Sequence, residues 1–263
     1  MCFAPDSRPP IPAIAGGALD STELTLAADD GNRLMAFRAR AADPTGAAIV
    51  VLPDVRGLHA YYRELAMRFA EAGIDALAID YFGRTAGPGS RDADFEHMPH
   101  VAQTTFAGLS ADVRAAVADL RAAGDGNERS VFTVGFCFGG RLAFVSSTLG
   151  LDLAGVIGFY GVPVGPGRND VPAPVDVADR IASPVLGLFG GADGAIPGTS
   201  LEAFETALGR AGVEHRIVAY SGAPHSFFDR SFQEHAAASA DAWRQVLAFI
   251  TEHTAYRGPE RPA

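Results

Sequence analysis

One cysteine follows a predicted strand and begins a predicted helix, in the segment VFTVGFCFGGR at residues 131–141. The pattern around Cys137 is G-x-C-x-G-G, which puts glycines two positions before it and two and three positions after it. A nucleophile on so sharp a turn needs small neighbours, because its backbone is strained and nearby segments approach closely. The N-terminus of the helix also favours a thiolate over a thiol. The pattern therefore indicates a cysteine nucleophile for acyl transfer.

Two other interpretations of this turn stay open. Cys137 also fits a small buried side chain between two phenylalanines, with the glycines serving helix–strand packing alone. Glycine-rich turns between a strand and a helix bind phosphates in other proteins. A dinucleotide site is a poor match, because its G-x-G-x-x-G fingerprint belongs after the first strand with an acidic residue about twenty positions later. Neither feature has that arrangement in this sequence.

An aspartate and a histidine each follow a later predicted strand. Asp193 lies in GGADGAIP at residues 190–197, and His225 lies in SGAPHSF at residues 221–227. A thiol that attacks an ester needs a base to take its proton, and the base needs a carboxylate to orient it. The order nucleophile, acid, histidine is the one that hydrolases built on a parallel sheet use. Singly, Asp193 fits an Asx-turn and His225 a surface loop, but together they favour a catalytic triad.

The other histidines do not form a metal-binding pattern. His59 lies near the first predicted βα loop, where it is a candidate for the lining of a pocket. The rest fit surface positions: His97, His100, His215, His235 and His253. Cys2 and Cys137 show neither a CxxC spacing nor a Cys/His cluster, and two cysteines cannot build a disulfide framework. We therefore expect no metal site, and triad chemistry needs no organic cofactor.

The elements that would position these side chains alternate between strand and helix. Short apolar runs predict buried parallel strands at 47–52, 74–80, 131–136, 153–161, 184–191 and 215–220. Amphipathic patterns predict helices at 60–72, 108–123, 138–149, 200–211 and 233–252. Such alternation predicts an α/β fold, with a mostly parallel twisted sheet, right-handed crossovers and helices on both faces. Two alternating runs around Asp30-Gly31 add an antiparallel hairpin at the N-terminal edge.

Length and composition limit the class of protein. The 263 residues fit one α/β domain, so we expect a domain at 19–255 between short tails at 1–18 and 256–263. A net charge of −10 disfavours nucleic-acid and membrane-surface roles, because it would repel phosphates and anionic lipid. The N-terminus lacks the basic and apolar regions of a signal peptide, and no apolar run of about 18 residues occurs. We therefore expect a cytoplasmic protein.

Four segments together resemble the dienelactone hydrolase family, the carboxymethylenebutenolidases. They are GFCFGGR at 135–141, GGADGAIP at 190–197, PHSF at 224–227, and the first βα loop with the strand after it at 53–84. The resemblance runs from about residue 20 to 250 and implies an α/β-hydrolase core with a Cys-His-Asp triad.

The resemblance also implies roles for residues beside the thiol. The backbone N–H groups of Phe138 and Val55 would form the oxyanion hole. Asp54 is at the position of a carboxylate that contacts the resting thiol, where family members often have glutamate. A loop-capping aspartate is the alternative for Asp54.

Residues that bind the substrate follow from the same resemblance. Arg84 and Tyr81, both in DYFGR, are candidates together with His59, although Arg84 fits a solvated loop residue as well. A second substrate arginine is expected four residues after the histidine. Asp229 is at that position and Arg230 follows it, so the sequence departs here from the pattern for binding a carboxylated lactone.

Together these features predict a cysteine-dependent hydrolase that opens an ester or lactone bond through an acyl-enzyme on Cys137. Enol lactones of the dienelactone type are the leading substrate class. A broad carboxylesterase or thioesterase is the main alternative, and a catalytically silent binding protein with this fold is a further one. We expect a small-molecule substrate, no nucleic-acid or membrane partner, and a monomer or small homo-oligomer.

Overall fold

The computed structural model describes residues 7–89, 91, 94–123, 129–229 and 233–255. Within these residues an 8-stranded sheet runs through the molecule. Its strands are β1 (Ala18–Ala27), β2 (Arg33–Ala41), β3 (Ala47–Leu52), β4 (Asp75–Ile79), β5 (Ser130–Phe136), β6 (Gly155–Phe159), β7 (Val185–Gly190) and β8 (His215–Tyr220). Each predicted strand is present, and the first two form the predicted hairpin.

The strands lie in the order β1-β2-β4-β3-β5-β6-β7-β8. From β4 to β8 all neighbours are parallel, whereas β2 is antiparallel to both β1 and β4. Every residue of β3 to β7 is buried, as expected for apolar strands covered by helices on both faces. The predicted α/β-hydrolase architecture is confirmed. The parallel strands therefore bring the loops at their carboxyl ends to one edge of the sheet.

The helices are α1 (Ala60–Glu71), α2 (Gly83–Ala86), α3 (His97–Val101), α4 (Phe106–Ala122), α5 (Phe138–Ser146), α6 (Gly198–Arg210) and α7 (Ala236–His253). Two 3-10 helices occur at Ser147–Leu149 and Pro174–Arg180. The predicted helix at 138–149 is thus an α-helix that tightens in its last turn. The sequence pattern missed α2, α3 and the segment 174–180, because elements so short show no helical period.

The N-terminal segment lies along α1. The backbone N–H of Ile14 donates to Glu71 Oε2 at 2.9 Å, and Gly17 is packed so closely that a Cβ there would lie 2.7 Å from the Glu71 carbonyl oxygen. Residues 1–6 and 256–263, which include most of the predicted tails, lie outside the described residues. None of the helices within the described residues has the length and apolar character needed to span a membrane.

Candidate active site

Cys137 lies between β5 and α5 in a strained conformation. Its φ of 53° and ψ of −107° are values that a non-glycine residue rarely adopts. Its N–H donates to the carbonyl oxygen of Phe159 at 3.0 Å, and its carbonyl oxygen accepts the Arg141 N–H at 3.2 Å. The side chain is partly exposed, and it lies at the N-terminus of α5, where the helix dipole favours negative charge. This is the geometry expected of a nucleophile turn.

The glycines around this turn are required by close approach of the backbone. A Cβ on Gly135 would lie 1.9 Å from the Gly139 carbonyl oxygen, and one on Gly139 would lie 2.2 Å from the carbonyl oxygen of Leu52. A Cβ on Gly140 would lie 2.6 Å from the carbonyl oxygen of Phe159. The glycine spacing therefore lets the first turn of α5 touch the ends of both neighbouring strands, β3 and β6.

Asp193 and His225 lie in the loops after β7 and β8, and the two loops are in direct contact. His225 Nδ1 is 2.6 Å from Asp193 Oδ2. The backbone N–H of Ala192 donates to the Ala223 carbonyl oxygen at 2.9 Å, and a Cβ on Gly190 would lie 2.4 Å from the Pro224 carbonyl oxygen. The Asp193 side chain is 1% exposed and the His225 side chain 26% exposed. A buried carboxylate thus orients an imidazole that solvent can reach.

The carboxylate of Asp193 is held in its charged form. Burial acts to raise the pKa of Asp193, but the hydrogen bond and charge of His225 and the N–H groups of Ala195 and Ile196 outweigh it. The net result is a pKa below the usual value. Oδ1 accepts the Ala195 N–H at 2.8 Å, so each carboxylate oxygen has a partner. An ionised Asp193 can stabilise an imidazolium at His225 during proton transfer.

Val55 and Phe138 follow the neighbouring parallel strands β3 and β5, so both lie at the edge of the sheet where the nucleophile turn lies. Phe138 is the first residue of α5, where a backbone N–H has no acceptor within the helix. Val55 follows β3 in a turn in which the Gly57 N–H donates to the Asp54 carbonyl oxygen at 3.2 Å. The close packing of α5 against the end of β3 brings these two segments together. An oxyanion hole from the two N–H groups fits this arrangement and stays a prediction.

Asp54 is buried and caps its own loop. Its Oδ1 accepts the Arg56 N–H at 2.8 Å, and its backbone N–H donates to the Tyr62 hydroxyl at 3.0 Å. The loop-capping role that the sequence left open is therefore present. Contact between this carboxylate and the thiol of Cys137 stays a prediction.

Tyr81 and His59 are buried against other aromatic rings. The Tyr81 hydroxyl donates to the Pro53 carbonyl oxygen at 2.8 Å, and its ring packs edge-on against Phe138 with centroids 5.4 Å apart. His59 lies immediately before the first residue of α1, and its ring packs edge-on against that of Tyr62 with centroids 5.3 Å apart. Both side chains are buried, and the hydrogen bond from Tyr81 to Pro53 holds the loop after β3. Burial, assisted by the charges of Arg56 and Arg63, lowers the pKa of His59 to about 3.

Arg141 joins the nucleophile helix to the proline-rich segment 163–175. Its guanidinium donates to four backbone carbonyl oxygens, those of Pro172 (3.1 Å), Val162 (3.4 Å), Gly165 (2.9 Å) and Val171 (2.8 Å). Asn169 adds a hydrogen bond to Thr104 Oγ1 at 2.8 Å. The segment is therefore an ordered strap over the N-terminal part of α5.

Comparison with known proteins identifies the family. The family model described as "Dienelactone hydrolase family" matches residues 35–254. The chain belongs to the dienelactone hydrolase family. Members of this family hydrolyse ester and lactone bonds, so the protein is a carboxylic ester hydrolase.

Individual relatives span nearly the whole chain. A carboxymethylenebutenolidase homologue of Salmonella typhimurium is 30% identical over 271 residues and covers 97% of each chain. The carboxymethylenebutenolidase of Rhodococcus opacus is 28% identical over 264 residues, covering 96% of this chain and 97% of the relative. The crystal structure of a dienelactone hydrolase homologue from Klebsiella pneumoniae superimposes with a TM-score of 0.76. It is 27% identical and covers 88% of this chain and 98% of the other.

The dienelactone hydrolase resemblance placed a substrate arginine at position 84, and the structure gives that side chain two protein partners. Arg84 Nη2 lies 2.5 Å from Asp30 in the hairpin turn, and Nη1 lies 2.6 Å from the buried Asp112 in α4. Burial acts to lower the pKa of Arg84, but the hydrogen bonds to both aspartates outweigh it and raise the pKa. Arg84 thus stabilises the packing of the hairpin on α4.

Asp229, at the second arginine position of the dienelactone hydrolase pattern, is also buried. Its Oδ2 accepts the Tyr160 hydroxyl at 2.8 Å. The adjacent Arg230 lies outside the described residues. Position 229 therefore serves the packing of the loop that carries the histidine.

Sequence reasoning missed Tyr160, whose ring centroid lies 4.8 Å from that of His225. The sequence pattern placed Tyr160 inside the strand predicted at 153–161, whereas β6 ends at Phe159 and Tyr160 follows it directly, as Cys137 follows β5. It also missed Arg141, four residues after the nucleophile.

Proposed function

We propose that the protein hydrolyses esters or lactones through an acyl-enzyme on Cys137. His225 takes the proton of the Cys137 thiol as the sulfur attacks the carbonyl carbon. A C–S bond forms, and the π electron pair of the carbonyl moves onto oxygen. The N–H groups of Val55 and Phe138 hold this oxyanion. The C–O bond to the leaving group then breaks, and His225 gives the alkoxide its proton.

The second half of the reaction regenerates the thiol. His225 takes a proton from a water molecule, which attacks the thioester carbon. The C–S bond breaks, the acid leaves, and sulfur recovers the proton from His225. Asp193 keeps the imidazole in the required tautomer throughout.

The observation that carries this proposal is the His225–Asp193 pair, at 2.6 Å, in the loops after two parallel strands, together with a cysteine on a strained turn after a third parallel strand of the same sheet. If Asp193 served only an Asx-turn and His225 only a surface loop, their side chains would have no reason to form a hydrogen bond with each other. The partly exposed imidazole also suits a base that must exchange protons with water.

An uncharged ester or lactone is the substrate class that the contacts favour. Arg84 is engaged by Asp30 and Asp112, and Asp229 stands buried where a second arginine would be needed. A substrate carboxylate would have to displace a salt bridge at the first position and would meet negative charge near the second. This supports the broad carboxylesterase or thioesterase over an enzyme specialised for carboxylated enol lactones.

Replacement of the thiol tests the mechanism. In Cys137→Ala we expect hydrolysis of p-nitrophenyl acetate to fall by about 1000-fold or more, as for loss of a nucleophile elsewhere. Mass spectrometry of quenched wild-type enzyme should find one acetyl group on the peptide that contains Cys137. Cys2→Ser is the matched control and should keep full activity. Undiminished turnover by Cys137→Ala would overturn the proposal.

A substrate comparison tests the specificity. We expect a higher kcat/KM for neutral aryl esters than for dienelactone, and Arg84→Gln should change both values in the same proportion. A rise of KM for dienelactone alone in Arg84→Gln would restore Arg84 as a substrate anchor.

We further propose that the protein acts in the cytoplasm as a monomer or small homo-oligomer, without a nucleic-acid or membrane partner. The net charge of −10 and the absence of a disulfide framework in the sequence support this. Cell fractionation and light scattering of the purified protein test it, and a membrane-bound fraction would contradict it.

A further inference from the structure

Three residues that follow one another at the end of β6 contact both halves of the candidate triad. We name the segment Phe159, Tyr160 and Gly161 the β6 bracket. On the nucleophile side, the Phe159 carbonyl oxygen accepts the N–H of Cys137 at 3.0 Å. A Cβ on Gly161 would lie 2.4 Å from the Arg141 backbone nitrogen, so this residue is pressed against the first turn of α5.

On the histidine side, the bracket holds the loop after β8 through Tyr160. The Tyr160 ring packs against the His225 ring, with centroids 4.8 Å apart and planes at 54°. The Tyr160 hydroxyl donates to Asp229 Oδ2 at 2.8 Å, in the same loop as His225. Tyr160 and Asp229 are both almost fully buried. The Tyr160 side chain therefore contacts the loop after β8 at two points, His225 and Asp229.

The backbone of Tyr160 is strained and held by a hydrogen bond, so its side chain has a fixed position. Its φ is 39°, and its N–H donates to the Leu188 carbonyl oxygen in β7 at 2.8 Å. Such a conformation persists only where the surrounding structure holds it, and it is common at functional sites. Burial, and then the charge of Asp229, raises the pKa of Tyr160, so the hydroxyl stays a hydrogen-bond donor at neutral pH.

From these contacts we infer that the β6 bracket sets the position of His225 relative to Cys137. Tyr160 and Asp229 act as positioning residues: the tyrosine ring supports the imidazole, and its hydrogen bond to Asp229 holds the loop against that ring. The effect of the β6 bracket on catalysis rests on the proposed function, whereas its effect on the position of His225 follows from the fold alone.

The test removes the hydroxyl and keeps the ring. With p-nitrophenyl acetate we expect Tyr160→Phe to lower kcat by about 3- to 10-fold with KM unchanged. The loss of one hydrogen bond lets His225 move from the position in which it acts as the base. Asp229→Asn keeps an acceptor for the tyrosine and should retain at least about half of kcat. Asp229→Leu should match Tyr160→Phe, and the double variant Tyr160→Phe, Asp229→Leu should fall no further, because both changes break the same bond.

Tyr220→Phe is the matched control. The Tyr220 hydroxyl donates to Asp241 Oδ2 at 2.9 Å, a bond of the same kind that joins the end of β8 to α7, and the Tyr220 ring packs against Phe227. We expect this variant to lose stability and keep kcat. Full kcat in Tyr160→Phe, or a fall equal to that of Tyr220→Phe, would overturn the inference and leave Tyr160 a packing residue only.

Alkylation of Cys137 by iodoacetamide, in a Cys2→Ser background, separates the inference from the proposed function. In the inferred arrangement His225 accepts the thiol proton as the sulfur reacts. A displaced His225 should therefore slow alkylation of folded Tyr160→Phe by about 3-fold or more, while Tyr220→Phe reacts at the wild-type rate. If the enzyme failed to form an acyl-enzyme but alkylation still slowed, the proposed function would fail and the bracket would stand. Alkylation at the wild-type rate in Tyr160→Phe would overturn the bracket, whatever the substrate.

Discussion

The Nδ1 atom of His225 and the Oδ2 atom of Asp193 lie 2.6 Å apart, although the residues are 32 positions apart in the chain. They are brought together by two adjacent parallel strands, β7 and β8, whose following loops hydrogen-bond to each other. Because the carboxylate is buried and its pKa is lowered, it remains charged beside an imidazole that can accept a proton at Nε2. This pair is the part of the candidate site that the structure defines most directly.

Asp193→Asn should lower kcat for p-nitrophenyl acetate by about 100- to 10,000-fold, since an amide favours the wrong imidazole tautomer and leaves an imidazolium uncompensated. KM should change little. The control is Asp152→Asn, an exposed turn residue with φ of 47°, a conformation that asparagine tolerates. Steady-state kinetics at pH 7 measure kcat and KM for both variants. A kcat near that of wild type in Asp193→Asn would show that Asp193 is not part of the proposed triad.

His59 should make the protein less stable as the pH falls. Burial, with the charges of Arg56, Arg63 and His97, lowers the pKa of His59 from 6.5 to about 3. The unfolded chain then binds a proton that the folded protein rejects. Titration of His59 therefore leaves the free energy of unfolding unchanged above pH 6.5. Between pH 6.5 and about pH 3 it lowers the free energy of unfolding by about 1.4 kcal/mol per pH unit.

Urea unfolding of wild type and His59→Gln between pH 7.5 and pH 4.5 measures this effect, because the groups common to both proteins cancel in the comparison. We expect the free energy of unfolding to fall less steeply in the variant. Parallel pH curves for the two proteins would contradict the lowered pKa.

Gly139→Ala should destabilise the fold, although alanine normally stabilises a helix. The new Cβ would lie 2.2 Å from the Leu52 carbonyl oxygen and 2.3 Å from that of Pro53. Relief of this overlap must separate α5 from β3, so we expect a loss of about 1–3 kcal/mol in the free energy of unfolding. Gly194→Ala is the control, because nothing lies within 4 Å of its Cβ position. Urea unfolding should find Gly194→Ala within about 0.5 kcal/mol of wild type, and equal effects would refute the close approach.

Arg141→Met should loosen the strap at 163–175. Four backbone carbonyl oxygens lose a charged donor at once. Limited trypsin digestion should then cut after the exposed Arg168 about tenfold faster or more, since each such bond is worth about 1.5–3 kcal/mol. Arg121→Met removes a donor to the Leu151 and Asp152 carbonyl oxygens and should leave that rate unchanged. A wild-type cutting rate in Arg141→Met would mean that other contacts hold the strap.

Much of the fold was accessible from the sequence because its signals are local. The apolar run of β3 and the glycine spacing around Cys137 each report a buried strand or a close approach within a few residues. The position of a side chain directly after a parallel strand also placed Asp193 and His225 at one edge of the sheet.

The parts that sequence reasoning missed depend on partners far along the chain. Arg84 contacts Asp30 and Asp112, which are 54 and 28 positions away, and no local pattern distinguishes that arginine from a substrate anchor. Tyr160 and Asp229 are 69 positions apart and meet only because β6 and the loop after β8 converge. The resemblance to the family even pointed away from this pair, because it predicted an arginine at position 229.

The strand order has a consequence for the newly made chain. Cys137 leaves the ribosome well before β8 and the loop that carries His225. The strained residues Cys137, Tyr160 and Ser226 follow three different strands, β5, β6 and β8. No N-terminal fragment that stops short of β8 holds a complete site. Recovery of esterase activity after dilution from denaturant should thus report the docking of the last strand, and a nascent chain carries its thiol without the base that would make it reactive.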